Sequence, residues 1–479
     1  MNYEIVCGLE VHVEMNTKSK IFCACSTAFG GEPNTHVCPV CSGQPGALPT
    51  LNRAAVEKAA RTGLALGCDI APVTRFDRKN YFYPDLPKAY QISQLYAPIC
   101  RGGGLALESG RFIRLHEIHM EEDAGKLVHD PFTETTLCDY NRCGVPLMEI
   151  VTEPDFRSGE EAADFLERLR TLLDFLGVSD CKMQEGSIRA DVNVSVRPVG
   201  SEALGVRTEM KNLNSIKAVA RAVRAEAERQ IELLREGRAV RQETRRWDDN
   251  KDATFSMRSK EDAQDYRYFP EPDIPPLELS EEYLEGLRAE QPEMAEERKQ
   301  RYQTQLGLPE YDAGIITGQK ALVDFFEEVT ALGVPAKEAA NWMLGDMMRR
   351  LKEEELEPKD MRLTPTTLVK LIGMVQAGRI NRNTASKVFR GIFAEDLDPE
   401  EWVTVHGLEQ IRDERVIAGA VARVLEEHPQ SAADYRAGKE KALGFLMGRV
   451  MKELKGKADP GAVNALLKSR LETGGSEGG

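Results

Sequence analysis

The chain is 479 residues long, 41% hydrophobic, 29% charged and only 6% aromatic, with a formal net charge of −15. That length accommodates about two to four domains with cores of their own, and the acidic balance argues against a protein that coats nucleic acid, although a global sum can conceal a local basic patch. No apolar run approaches the roughly 20 residues that span a bilayer, and residues 1–7 (MNYEIVC) lack the basic and apolar regions of a signal peptide, so the expectation is a cytoplasmic protein with no membrane partner.

The first strand is expected over 4–13. Leu9, Val11 and Val13 point one way, and Glu10, His12 and Glu14 the other. Next neighbours on one face lie about 7 Å apart, so the three polar side chains could converge on an ion or a phosphate. A solvated sheet face carrying an incidental histidine would read the same.

A cysteine cluster follows: Cys23 and Cys25, a gap of twelve residues, then Cys38 and Cys41. Four thiols within nineteen residues, one pair a C-x-x-C with Pro and Gly nearby, match a tetrahedral zinc knuckle. A redox pair is the alternative, and His36 is a possible substitute ligand. Four sulfur ligands leave no open position for water, so the site reads as structural. The other six cysteines (Cys7, Cys68, Cys100, Cys138, Cys143 and Cys181) read as small hydrophobes in a chain unlikely to form a disulfide framework.

Helical periodicity covers 52–66. Residues 75–88 (RFDRKNYFYPDLPK) then interleave basic and aromatic side chains without a period, and Lys79 is a candidate contact for phosphate or ammonia. The next strand, 110–120, continues into a run of acids. Glu117, His119 and Glu121 share one face and Glu122 and Asp123 follow. Carboxylates and imidazoles on strands suit Mg²⁺ or Mn²⁺ when water and phosphate oxygens complete the shell.

The strand expected over 146–152 carries Glu149, flanked on its own face by Leu147 and Val151, with Met148 and Ile150 on the other. A lone carboxylate there would cost several kcal/mol. It needs an arginine, a metal ion or a polar cavity. Helix is expected over 159–176, and then 188–197 alternates again. Ile188, Ala190, Val192, Val194 and Val196 face the core, while Arg189, Asp191, Asn193, Ser195 and Arg197 offer groups suited to a nucleotide.

Over 216–234, Ile216, Val219, Ala220, Val223, Ala227, Ile231 and Leu234 recur at helical spacing. The proline-rich stretch 266–276 reads as a boundary without interior secondary structure. From about 280 onward the pattern is helical, with a second boundary near 394–399, a last helical unit over about 406–471, and a flexible tail at 474–479. Between Lys439 and Leu471 eight Lys/Arg face three acids, a local net charge of +5. There is no P-loop, strand-linked G-x-G-x-x-G or G-x-S-x-G, so any ATP chemistry needs another kind of site.

Taken together, these stretches resemble one family, the B subunit of the bacterial and organellar aspartyl/glutamyl-tRNA amidotransferase. The likeness rests on GLEVHVE (8–14), the cysteine knuckle, RKNYFYPDLPKAYQIS (78–93), HMEEDAGK (119–126), DYNRCGVPLMEIVTEPD (139–155) and RADVNVSVR (189–197). It continues through RTEMKNLNS (207–215), QETRRWD (242–248), DYRYFPEPD (265–273), ANWMLGDM (340–347), GRINRNTASKVF (378–389), GKEKALGFLMGRVMK (438–452) and NALLKSRL (464–471). Cys143 and Val145 depart from the polar residues common at those positions in the family.

The resemblance implies an α+β protein: a cradle-like, sheet-rich kinase domain (1–290, with the knuckle at 23–41), an all-α helical domain (291–400) and a small helical tail domain (401–473). It implies an ATP-dependent enzyme that phosphorylates the side-chain carboxylate of misacylated Asp-tRNA(Asn) or Glu-tRNA(Gln). Ammonia from glutamine then displaces the phosphate, giving Asn-tRNA or Gln-tRNA. The implied partners are an amidase A subunit, a small C subunit and the tRNA; the implied cofactors are ATP, Mg²⁺ and structural Zn²⁺.

On this reading His12, Glu121 and Glu149 hold Mg²⁺, with face parity to His119 favouring Glu121 over its acidic neighbours. Glu10 orients ammonia or takes its proton, and Lys79, Arg189, Asp191 and Asn193 contact nucleotide or acyl phosphate. The basic unit, including Lys452, Lys455, Lys457 and Lys468, meets tRNA phosphates. The competing reading is a non-enzymatic zinc-knuckle RNA scaffold whose acidic clusters are structural.

Overall fold

The alternation read near the N-terminus becomes a twelve-residue strand, β1 (Tyr3–Glu14), in a computed structural model that describes residues 2–130, 132–259, 265–411 and 413–473. It is followed by α1 (Arg53–Ala65), β2 (Asp77–Asn80), β3 (Tyr90–Ser93), β4 (Phe112–Glu122), β5 (Pro146–Thr152), α2 (Gly159–Phe175), β6 (Ile188–Pro198), β7 (Thr208–Lys211), α3 (Ile216–Arg235), β8 (Glu243–Asp248) and β9 (Ala253–Ser259). Two units are resolved, Met1–Ala295 and Glu296–Gly479.

In the first unit, the main sheet among the described residues runs β9-β8-β7-β6-β1-β5-β4 and ends in the short strands Cys100–Arg101 and Asp69–Ile70. β1 is central and antiparallel to both β5 and β6. β7 and β8 are parallel, a pairing that requires a crossover, and α3 lies between them in sequence. Ser158 and Ser215 cap α2 and α3 by accepting from the backbone N–H of Glu161 and Ala218; each cap contributes about 1 kcal/mol.

The odd positions of β1 (Leu9, Val11, Val13), the even positions of β6 (Val192, Val194) and Met148 and Ile150 of β5 join Phe165, Leu169 and Leu173 of α2 and Val219 and Val223 of α3 in one buried cluster. Fully burying each such aliphatic side chain stabilises by roughly 1.5–3 kcal/mol. That apolar commitment fixes which face of each strand looks inward. The alternate positions, among them Glu10, His12, Glu149 and Arg189, therefore share the opposite face.

The second unit is helical throughout its regular structure among the described residues, apart from the isolated bridge Ile411–Ala458. It holds one buried cluster between Tyr302 and Val403 and another between Ile417 and Leu471. Asn381 Nδ2 donates to Gly456 O at 3.0 Å across them. A five-residue π-helix, Met343–Met347, interrupts the helical run.

The sheet-rich first part and helical second part agree with the α+β expectation. One expectation is corrected: the proline-rich boundary contains a two-residue strand, Phe269–Pro270, paired with Arg78 and Asp77 of β2. Proline is tolerated there because β2 lies between Phe269–Pro270 and β3, which leaves the proline on an edge. Residues 474–479, read as a flexible tail, lie outside the described residues. Among the described residues no helix is long and apolar enough to cross a membrane.

Candidate active site

Register assembles the site. His12 of β1 lies opposite Glu149 of β5, and Glu149 lies opposite His119 of β4. His12, Glu121 and Glu149 offer one ligand atom each, all within 4.8 Å of one another. His12 Nε2 is 3.7 Å from Glu149 Oε2, and His119 Nε2 is 3.0 Å from the same oxygen. Glu149 thus has partners, two imidazoles, where the sequence showed only an isolated carboxylate.

The charges follow from that packing. Burial raises the Glu149 carboxyl, but the hydrogen bond from His119 and the attraction of His119, His12 and Lys79 outweigh it and push it down to about 2. Glu121 goes the other way: burial and then the neighbouring Glu149 hold its carboxyl above the usual range. His119 is buried, which disfavours its cation, yet Glu117 and Glu149 outweigh this and raise it to about 10. Two carboxylates and an imidazole converging in a partly buried site form a donor set suited to a small divalent cation.

Beside this group lies a second acidic set, Glu10, Asp191 and Glu209, again within 4.8 Å. Lys211 Nζ reaches Asp191 and, at 3.2 Å, Glu209, so the set carries its own cation. Asn193 Nδ2 donates to Glu10 Oε1 at 3.0 Å. Burial, then Glu149, raises the Glu10 carboxyl despite that bond. Glu209 and Lys211 fall within RTEMKNLNS, yet sequence reasoning assigns them no role. The signal was there: buried Met210 between them puts both on the polar face of β7.

Lys79 of β2 stands over aromatic rings, 5.1 Å from the centroid of Tyr266 and 5.9 Å from that of Tyr81. Its charge also favours the ionised forms of Glu121 and Glu149. Arg189, opposite His12 in the register, is bound to Asp123 at 3.1 Å. Asp123 meets Glu14, and neither Glu14 Oε1 nor Asp123 Oδ2 has a hydrogen-bond partner among the described residues, although Arg142 Nε lies 3.4 Å from Asp123 Oδ2. A proton on Glu14 would supply the donor between them. Burial and Asp123 raise its carboxyl to about 8.

The sulfur atoms of Cys23, Cys25, Cys38 and Cys41 also lie within 4.8 Å of one another; His36 is not in the group. The Cys41 thiol falls to about 4, chiefly through its hydrogen bond with Cys23, although burial opposes this. A thiolate is the form that binds metal. The fully buried Lys20 supports it, with Nζ 3.7 Å from Cys41 Sγ and 3.1 Å from Tyr140 O. The four cysteines could bind a metal.

Lys452, Lys455 and Lys468 are exposed, whereas Lys457 is partly buried and donates to Gly407 O. All four lie in the second unit, on or beside the helices Lys441–Glu453 and Pro460–Thr473.

Known proteins sharpen this picture. Residues 5–285 match the family model described as the GatB/GatE catalytic domain, and residues 324–471 match the one described as the GatB domain. Over 472 residues the chain is 56% identical to the B subunit of the aspartyl/glutamyl-tRNA(Asn/Gln) amidotransferase from Lachnoclostridium phytofermentans, spanning 98% of this chain and 99% of that one. The proteins of the same name from Agathobacter rectalis and Caldicellulosiruptor saccharolyticus are 55% and 54% identical, each over 98% of this chain and 100% of theirs.

Proposed function

The chain belongs to the family of aspartyl/glutamyl-tRNA(Asn/Gln) amidotransferase B subunits, and we propose that within such a complex it activates a misattached side-chain carboxylate with ATP and delivers it to ammonia. A carboxylate oxygen of Asp-tRNA(Asn) or Glu-tRNA(Gln) attacks the γ-phosphorus and ADP leaves. Ammonia then attacks the carbonyl carbon of the acyl phosphate, inorganic phosphate leaves, and a base takes the surplus proton. An amidase A subunit supplies the ammonia from glutamine, and the pair is steadied by a small C subunit.

The observation that carries this reading is the convergence of His12, Glu121 and Glu149 from three neighbouring strands. Their mixed oxygen and nitrogen donors fit Mg²⁺, which when bound would neutralise phosphate charge. Glu10, its carboxyl raised by burial and held by Asn193, orients ammonia and accepts its proton. Lys79 contacts the phosphate. Arg189, Asp191 and Asn193 line the floor on which nucleotide or acyl phosphate rests. Cys23, Cys25, Cys38 and Cys41 hold a structural Zn²⁺.

We read 1–290 as the catalytic cradle, and 291–400 and 401–473 as modules that hold tRNA in the cytoplasm. The two separate buried clusters of the second unit support two helical modules, with the first cluster reaching Val403 and the second beginning at Ile417. Lys452, Lys455, Lys457 and Lys468 meet the tRNA backbone.

Glu149→Gln keeps the shape of the site and removes a charge. It should abolish ATP-dependent amidation by the complex while leaving tRNA binding nearly intact. Full activity in that variant would contradict the reading.

A further inference from the structure

We propose that His119 is a positioning residue of this site: it donates a hydrogen bond from Nε2 to Glu149 and orients that carboxylate toward the ion without ligating it. The inference rests on the reading of His12, Glu121 and Glu149 as a metal-binding group.

Three observations carry it. Cross-strand pairing places His119 and Glu149 directly opposite each other on β4 and β5. The Nε2–Oε2 separation is 3.0 Å, whereas Nε2 is 3.9 Å from Glu121 Oε2. An ionised carboxylate oxygen accepts only, so Nε2 serves Glu149 as the donor, and His119 is not among the ligand atoms that His12, Glu121 and Glu149 bring within 4.8 Å of one another. The same Glu149 oxygen is 3.7 Å from His12 Nε2, too far for a hydrogen bond. The two histidines flanking Glu149 are therefore not equivalent: His12 has a ring nitrogen available for ligation, and His119 spends its own on Glu149.

The other side of the ring extends the chain. Nδ1 faces Glu117 Oε1 at 3.6 Å, beyond hydrogen-bond length, and has no other partner among the described residues. Glu117 Oε2 is 3.5 Å from Arg101 Nη1. Glu117 is thus held by Arg101 on its outer side, and the His119 ring lies between Glu117 and Glu149. Partners of this kind hold a ligand's orientation and raise its affinity for the ion.

Mn²⁺ binding to the full-length chain, followed by electron paramagnetic resonance, tests this with His119→Phe, His119→Gln and His119→Asn. The glutamine amide nitrogen falls near the position of Nε2, and the asparagine amide nitrogen near that of Nδ1. His119→Phe and His119→Asn should bind Mn²⁺ about 10–100-fold more weakly than wild type, with His119→Gln within about threefold of it. Wild-type affinity in His119→Phe, or a loss in His119→Gln equal to that in His119→Phe, would overturn the proposal. Glu149→Gln separates the two levels of the argument. If wild type shows no Mn²⁺ site that this variant loses, the metal reading falls and the role of His119 with it. If that control holds and His119→Phe is unchanged, only the role of His119 falls.

Discussion

His12 on β1 and Glu149 on β5 are cross-strand partners whose side chains approach to 3.7 Å on the polar face of a sheet with a fully packed opposite face. Together with Glu121 they form a compact donor set.

His12→Ala removes the nitrogen donor from the group it forms with Glu121 and Glu149. ATP turnover by the complex should fall about 10²-fold or more, the scale of losing an electrostatic stabiliser at a phosphoryl-transfer site, with tRNA affinity unchanged. ADP release at saturating tRNA checks this.

Glu14 gives the site a pH signature. Its carboxyl moves from 4.5 to about 8 on folding, through burial and then Asp123. Between those values the folded chain holds a proton that the unfolded chain lacks. Its contribution to stability is therefore present in acid and is lost as pH rises toward about 8. Asp123 is shifted the other way, because Arg189 and Arg142 outweigh its burial, so its contribution is lost only on acidification. Glu14→Gln, which mimics the protonated form, should be more stable than wild type at pH above 8 and converge with it toward the ordinary carboxyl range. Urea unfolding across that range, in chelator, decides it. Parallel profiles would contradict the shared proton.

The cysteine cluster makes a separate prediction. Wild type should carry about one zinc per chain and Cys41→Ser much less. Chelation should lower the unfolding midpoint of wild type and leave the variant's nearly unmoved. The loop at Tyr140–Gly144, tied to the knuckle through Lys20 and the backbone of Ile21, should lose hydrogen-exchange protection first.

Charge reversal tests the basic surface better than truncation, because Asn381 and Gly456 tie the two clusters of the second unit together. Lys452→Glu, Lys455→Glu and Lys468→Glu should each weaken tRNA binding. Each should reduce the slope of log K against log salt by about 0.7–1 for every phosphate no longer neutralised. ATP turnover at saturating tRNA should be preserved.

Much of this was legible in the chain because β-strand alternation is local. Residues 188–197 read as a strand with Arg189, Asp191 and Asn193 on one face, and the strand observed is Ile188–Pro198 with that alternation in its burial. Register was not legible. It depends on pairing between distant segments, as for Glu4 and Arg197, 193 positions apart, and no local pattern sets such a match. Glu149 therefore read as a carboxylate in want of any partner, and the two imidazoles that flank it appear only when β1, β5 and β4 are laid side by side. The pairing of Phe269–Pro270 with β2 was missed for the same reason: proline forbids a central strand and permits an edge.

The most direct test of the central claim is ADP formation by the chain assembled with its amidase and small-subunit partners, with Asp-tRNA(Asn) and Glu-tRNA(Gln) added separately. Turnover that requires Mg²⁺ and a misacylated tRNA, and disappears in Glu149→Gln, is the expected result. ATP hydrolysis indifferent to either tRNA, or unchanged in that variant, would contradict it.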